Sequence, residues 1–279
     1  MKVFMSVDME GISGICHPDE VMPGRPGYEY GRKMMAADVN AAIDGALEAG
    51  ATEIVVADSH DGMRNLPLHE LALDKPVRLI SGVMRQNEMV EGLDSSFDAA
   101  LFIGYHARAG DPIGILSHTY APKQFHKVEV NGAEVGEAQI NAGVAGCFGV
   151  PVAMLSGDQA LKAEASRFLG DVPVAVVKRA IDRMSAEFLN QSESLRRIRE
   201  AASEGLRNLG QRSPYRFETP ATMRIAMVNA TQANLVATIP GTKRGDGTDV
   251  FFEHADFREI YRFMVAAMLI AMFCTDADF

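Results

Sequence analysis

The sequence is poor in cysteine. Cys16, Cys147 and Cys274 are the three it has, and none is spaced as C-x-x-C. An odd count without a framework excludes a disulfide scaffold and suits a reducing compartment. Positive charge is also scarce. The chain carries 27 Lys and Arg against 37 Asp and Glu, a formal net charge of −10. Nucleic acid and an acidic membrane both need a basic footprint, so neither is expected as a partner. Long apolar runs are missing too. The longest, from Met264 to Cys274, is about half of the roughly 20 residues that a membrane span needs. Lys2 is followed at once by a strand-like segment and then by Asp8 and Glu10. That leaves no room for the apolar core of a signal peptide, and the protein is expected in the cytoplasm.

Several catalytic signatures are absent. No G-x-x-x-x-G-K-[ST] occurs, and no G-x-G-x-x-G follows the first strand-like run, so nucleotide binding has little support. The glycine-rich stretch from Gly241 to Gly247 matches no phosphate loop and is expected to be a turn, placed at a pocket edge at most. There is no G-x-S-x-G elbow and no H-E-x-x-H helix.

What is present is a set of short polar clusters, each closing an apolar run. Val3–Val7 leads into Asp8-Met9-Glu10-Gly11, Ile54–Ala57 into Asp58-Ser59-His60, and Ala99–Ile103 into Gly104-Tyr105-His106. Runs that are short, β-rich and apolar on both faces read as buried parallel strands. Their C-terminal ends then share one sheet edge, where open α/β folds place their sites. Alternation with helices, such as the one from Tyr28 to a stop at Gly50, predicts a βαβ architecture. The fold expected is α/β, three-layered, with a mostly parallel sheet and helices on both faces. A smaller α+β portion follows it. The division is set near residue 180, giving a catalytic part over 1–180 and a second part over 181–279. Asn131-Gly132 predicts a hairpin turn after Lys127–Val130. Gly136-Glu137 opens a helix expected to reach Cys147, and Ser185–Leu209 reads as one long amphipathic helix.

Each polar residue has a plain alternative. Asp8 and Glu10 suit a strand-end turn, His60 a loop, and His106 a buried imidazole bonded to backbone. Asp58 suits either a strand-end cap or a carboxylate that orients an imidazole. Glu137 suits a first-turn carboxylate on the helix dipole. Their joint placement at strand ends is required by none of these alternatives. Carboxylates and imidazoles gathered at one edge make a metal-site composition, suited to zinc and also to manganese or cobalt.

Ser6-Val7-Asp8-Met9-Glu10-Gly11, Asp58-Ser59-His60, Gly104-Tyr105-His106-Ala107-Arg108, Ser117-His118 and Val135-Gly136-Glu137 occur in an order that resembles the M55 peptidases, a family of D-aminopeptidases. The resemblance implies an aminopeptidase with two Zn²⁺ per chain, acting on short peptides with an N-terminal D-residue such as D-Ala-D-Ala. By matched position, Asp8 bridges the metals, Glu10 and His60 complete one, and His106 and Glu137 complete the other. His118 takes the family's catalytic place, either as acid/base or as nucleophile. The family's assembly implies a homo-oligomer, a decamer of two pentameric rings. Arg108 suits a substrate carboxylate or a structural ion pair. Two other readings stand beside this one: a dinuclear hydrolase of another amide or ester, and a non-catalytic cytoplasmic dipeptide-binding protein.

Overall fold

The computed structural model describes residues 1–72 and 75–274. The chain runs through β1 (Lys2–Val7), a short α1 (Pro18–Val21), α2 (Tyr28–Glu48), β2 (Glu53–Asp58), β3 (Val77–Ile80) and β4 (Ala99–Ile103). A hairpin of β5 (Phe125–Val130) and β6 (Ala133–Glu134) precedes α3 (Glu137–Cys147), β7 (Val152–Asp158), α4 (Gln159–Leu169), β8 (Val174–Asp182) and β9 (Ser185–Phe188). The remainder comprises α5 (Gln191–Arg207), β10 (Ala221–Met227), α6 (Ala230–Val236), β11 (Lys243–Arg244), β12 (Asp249–His254) and α7 (Phe257–Met272).

Two sheets form. The larger has the order β3-β2-β1-β4-β7-β8-β9 and is parallel except for the last pair. The smaller has the order β11-β12-β10-β5-β6 and is antiparallel. The expected mixed architecture with a mostly parallel sheet is therefore present. In the parallel sheet the chain order reverses beside β1, with β2 on one side and β4 on the other. That is a topological switch point, where a crevice opens at the strand ends.

Alternation along each strand builds two cores. Val3, Met5, Ile54, Val56, Leu101 and Ile103 face α2 and α5, where they meet Met35, Val39, Ile43 and Ile198. Phe4, Val55, Ala57 and Phe102 face the other way, toward α3, the second sheet and α7. Phe263, Met264 and Met268 of α7 are buried there within the chain's own core. The second sheet draws β5 and β6 from before residue 180, while β8, β9 and α5 belong with the parallel sheet.

One expected element is shorter than the periodicity predicts. Ser185–Phe188 is a strand paired with β8, and α5 starts only at Gln191, capped by the Asn190 side chain accepting from Glu193 N–H. The apolar face of Leu195, Ile198, Ala202 and Leu206 belongs to the helix, whereas Ser185–Phe188 is held by strand pairing with residues just before it. Helix α2 does end as predicted. Gly50 takes φ +93°, and Ala51 N–H reaches back to Ala46 O at 3.0 Å.

Candidate metal centre

The strand ends deliver their polar clusters to one point. Beyond β1, Asp8 N–H donates to Ile103 O at 2.8 Å and Gly11 N–H to Gly104 O at 2.7 Å. This continuation presses the Asp8–Gly11 segment against β4. A side chain at Gly11 would place Cβ 1.9 Å from Tyr105 O, so glycine is required there.

Asp8, Glu10, His60, His106 and Glu137 are all buried. His60 Nε2 lies 2.9 Å from Val21 O. A carbonyl only accepts, so Nε2 carries a proton and Nδ1 is turned toward the cluster. That Nδ1 lies 3.2 Å from Asp8 Oδ1 and 3.0 Å from Glu10 Oε2. His106 is held the opposite way round. Its Nδ1 donates to Ala107 O at 2.9 Å, and Nε2 lies 3.4 Å from both Asp8 Oδ2 and Glu137 Oε1. The two oxygens of Asp8 are thus divided between two imidazoles. Glu137, the first residue of α3, is fixed from behind by Tyr120 N–H, which donates to Oε1 at 2.7 Å.

His118 stands beside this set. Its Nδ1 donates to Leu116 O at 2.8 Å, and Nε2 lies 3.6 Å from Glu137 Oε1. At 16% exposure its side chain is more open than those of Asp8 and Glu137, each at 4%. The donor atoms of His106, His118 and Glu137 lie within 4.8 Å of one another, as do those of Asp8, Glu10 and His106. By distance alone, His118 qualifies as a ligand as well as an acid or base.

Charge balance in the cluster is tense. Burial first, and then the neighbouring charge of Glu10, push the Asp8 pKa up to about 7. Burial works to lower His60, but the charge of Glu10 and the hydrogen bond to Asp8 outweigh it and hold the imidazole well above its usual 6.5. At His106, burial is likewise outweighed by the charges of Glu137 and then Asp8. The two histidines return the favour. Burial pushes Glu10 and Glu137 upward, but His60 holds Glu10 well below 4.5 and His106 lowers Glu137. His118 moves the other way, lowered by burial and then by the charge of His106. Three carboxylates buried together call for compensating positive charge.

The donor set fits a divalent metal. Asp8 Oδ2, Glu10 Oε2 and His106 Nε2 are buried without a hydrogen-bond partner. Orphaned buried atoms of this kind are costly, and all three converge on the same space. Oxygen and imidazole nitrogen together are the donors of catalytic zinc sites.

Other residues take supporting places. Asp58 accepts from Asn65 N–H, Asn65 Nδ2 and Leu66 N–H, so it shapes the loop after His60 and touches no imidazole. Arg108 pairs with Glu134 at 2.6 Å and donates to Ala109 O, which favours its structural reading over substrate binding. Arg244 spends its guanidinium on Asn234 and on the carbonyls of Gly245, Gly247 and Asp249, so the glycine-rich stretch is a self-bonded turn beside β12.

A buried polar network behind the site has no sequence signature. Tyr105 Oη meets Ser6 Oγ at 2.7 Å and Asn141 Nδ2 at 2.9 Å. Ser6 and Ser59 both donate to Met89 O. Tyr120 Oη donates to Asn141 Oδ1 at 2.6 Å and lies 3.1 Å from Tyr261 Oη, which donates to Asn87 O. Ser6, Ser59 and Tyr105 flank Asp8, His60 and His106 in sequence, and Tyr120 holds the Glu137 carboxylate through its N–H. Their partners lie far along the chain, so spacing reveals none of them.

The chain is similar to known proteins over its length. Residues 1–266 match the D-aminopeptidase family of M55 peptidases. A D-aminopeptidase of Bacillus subtilis (strain 168) is 38% identical over 275 residues, covering 98% of each chain. A solved structure described as the Zn-dependent D-aminopeptidase DppA from Bacillus subtilis, a self-compartmentalizing protease, superposes with a TM-score of 0.94 at 37% identity. The match covers 100% of both chains.

Proposed function

The chain belongs to the M55 family of D-aminopeptidases and is a metallo-aminopeptidase; from that premise we propose that it binds two zinc ions per chain and releases N-terminal D-residues from short peptides. The observation that carries the two-ion reading is the division of Asp8 between His60 and His106. In this reading Asp8 would serve both ions, Glu10 and His60 would complete one site, and His106 and Glu137 would complete the other. Bound there, the zinc ions supply Lewis acidity toward the scissile carbonyl and lower the pKa of water.

His118 is the proton carrier in this reading. Its Nδ1–H is committed to Leu116 O, so Nε2 faces the site with a free lone pair. Its lowered pKa keeps it neutral near pH 7. It accepts the proton of the attacking water and returns it to the leaving amine, a role worth about 10²–10⁴ in rate. The stereochemical preference rests on family membership.

We further propose a homo-oligomer, a decamer of two pentameric rings, working in the cytoplasm. The related DppA is a self-compartmentalizing protease, and no helix among the described residues is long and apolar enough to cross a membrane.

The test combines elemental analysis with kinetics on matched D- and L-aminoacyl dipeptides, and light scattering on the same sample. Two zinc ions per chain, a higher kcat/KM for the D-series and a mass near ten chains are expected. Full activity in chelator overturns the metal reading. Equal rates on both hands overturn the stereochemical one. A monomer at micromolar concentration overturns the assembly and leaves the chemistry intact.

A further inference from the structure

Glu10 lies three residues beyond the end of β1. Asp8 directly extends β1, His106 closely follows β4, and Glu137 begins α3. Glu10 sits on a short irregular stretch, 10–15, folded on itself by Ile12 N–H to Met9 O and Ile15 N–H to Ile12 O. Gly14 turns it with φ +78°.

Two buried ionisable side chains are spent on the backbone of that stretch. Lys178 of β8 is 1% exposed, and its Nζ donates to Glu10 O at 2.6 Å, Ile12 O at 2.8 Å and Ile15 O at 2.5 Å. An ammonium has three protons, and these three carbonyls account for all of them. Among the described residues no carboxylate pairs with it. Asp38 of α2 is 0% exposed and accepts from Ser13 N–H at 2.8 Å and Ser13 Oγ at 2.6 Å. Burying an ammonium and a carboxyl is expensive, and apolar residues of similar volume often stabilise a fold as well or better. Their expense here serves neither a direct ion pair nor a surface. It fixes one loop from two sides, with the parallel sheet below and α2 beside it.

We infer that Lys178 and Asp38 are positioning residues for a single metal, the one assigned to Glu10 and His60. They aim the Glu10 carboxylate by clamping its backbone. The inference rests on the two-ion reading given above. Residues behind metal ligands typically change affinity by about 10–100-fold when replaced. The clamp touches only the Glu10 loop, so its loss falls on one ion and spares the ion assigned to His106 and Glu137.

The experiment measures stepwise zinc affinities of the full-length protein by competition with a chromophoric chelator, alongside thermal unfolding of the metal-free form. Lys178→Met keeps the aliphatic bulk and removes the ammonium. Ser13→Ala removes one of the two Asp38 contacts and leaves a mild lesion that folds if Lys178→Met does not. Expected for Lys178→Met is one ion bound as in the wild type and the other weakened at least tenfold. Ser13→Ala shows a smaller loss confined to the same ion. Equal weakening of both ions in either folded variant overturns the inference, since a general loss of stability acts on both. Unchanged affinities in a folded Ser13→Ala with lowered thermal stability also overturn it. A wild type that loads a single ion overturns the two-ion reading, and this inference with it.

Discussion

The imidazoles of His106 and His118 lie face to face, with ring centres 4.2 Å apart and planes inclined by 14°. Two imidazolium rings at that distance repel, so the pair favours one charge at most. The carboxylates Glu137 and Asp8 claim His106, while burial and the His106 charge leave His118 neutral. Stacking therefore sets the two histidines apart by charge, although both rings point a nitrogen at Glu137.

His118→Ala is expected to keep its metal and its fold and to lose about 10²–10⁴ in kcat/KM, the usual worth of a positioned acid or base. His106→Ala is expected to lose metal. Elemental analysis beside turnover measurements separates the two. If His118→Ala loses metal as severely as His106→Ala, then His118 is a ligand.

Asp8→Ala is expected to lower the occupancy of both ions together, because each oxygen of Asp8 faces a different imidazole. Glu10→Ala is expected to lower one only. Titration with zinc under replete conditions reads the difference, and loss of a single ion in Asp8→Ala contradicts the bridging role.

Gly11→Ala is expected to destabilise the protein at or above the usual ~1–3 kcal/mol of an overpacked interior. The added methyl would sit 1.9 Å from a backbone oxygen that β4 holds in place. Gly62→Ala is the control. Nothing lies within 4 Å of a Cβ there, and a change of about 0.5 kcal/mol or less is expected. Chemical denaturation of both variants decides it, and a Gly11→Ala protein as stable as Gly62→Ala would show that the segment can move aside.

Glu164 supplies a pH-dependent prediction away from the proposed ligands. One of its oxygens accepts from Arg108 N–H at 2.8 Å, while Oε1 is buried without a partner. Burial raises its pKa above the ordinary 4.5. Between the unfolded pKa and the raised folded one, the native state holds a proton that the unfolded state has released. Stability therefore falls as pH rises through that window. Glu164→Gln removes the ionisation and is expected to flatten the decline and to raise the unfolding temperature at pH 7. Melting curves from pH 4 to pH 8 test this. A lower melting temperature at pH 7 would mean that the Glu164 charge is serving His106.

The parts legible in the sequence are those encoded by neighbours. Val3–Val7 and Ala99–Ile103 are apolar on both faces because both faces are buried, and each run ends at the residue that turns into the crevice. Asn131-Gly132 announces its hairpin because both residues take positive φ. Ser185–Phe188 misleads because a short edge strand and the approach to a helix share one polar pattern. Lys178 gives no local sign at all. Its three acceptors lie in the first turn after β1, and only the closing of the parallel sheet brings β8 to them. Asn141 and Tyr261 are hidden in the same way, since each reads as an ordinary helix residue until the sheet and α7 are packed together.

The hydroxyl of Tyr261 has a consequence for the order of synthesis. The ribosome delivers Asp8 and Glu137 before α7. A nascent chain stopped before Phe257 already contains Asp8, Glu10, His60, His106 and Glu137. It still lacks the group that joins Asn87 to Tyr120, whose backbone holds Glu137. The ledge beneath Glu137 is thus completed by α7, a segment that emerges well after Glu137 itself.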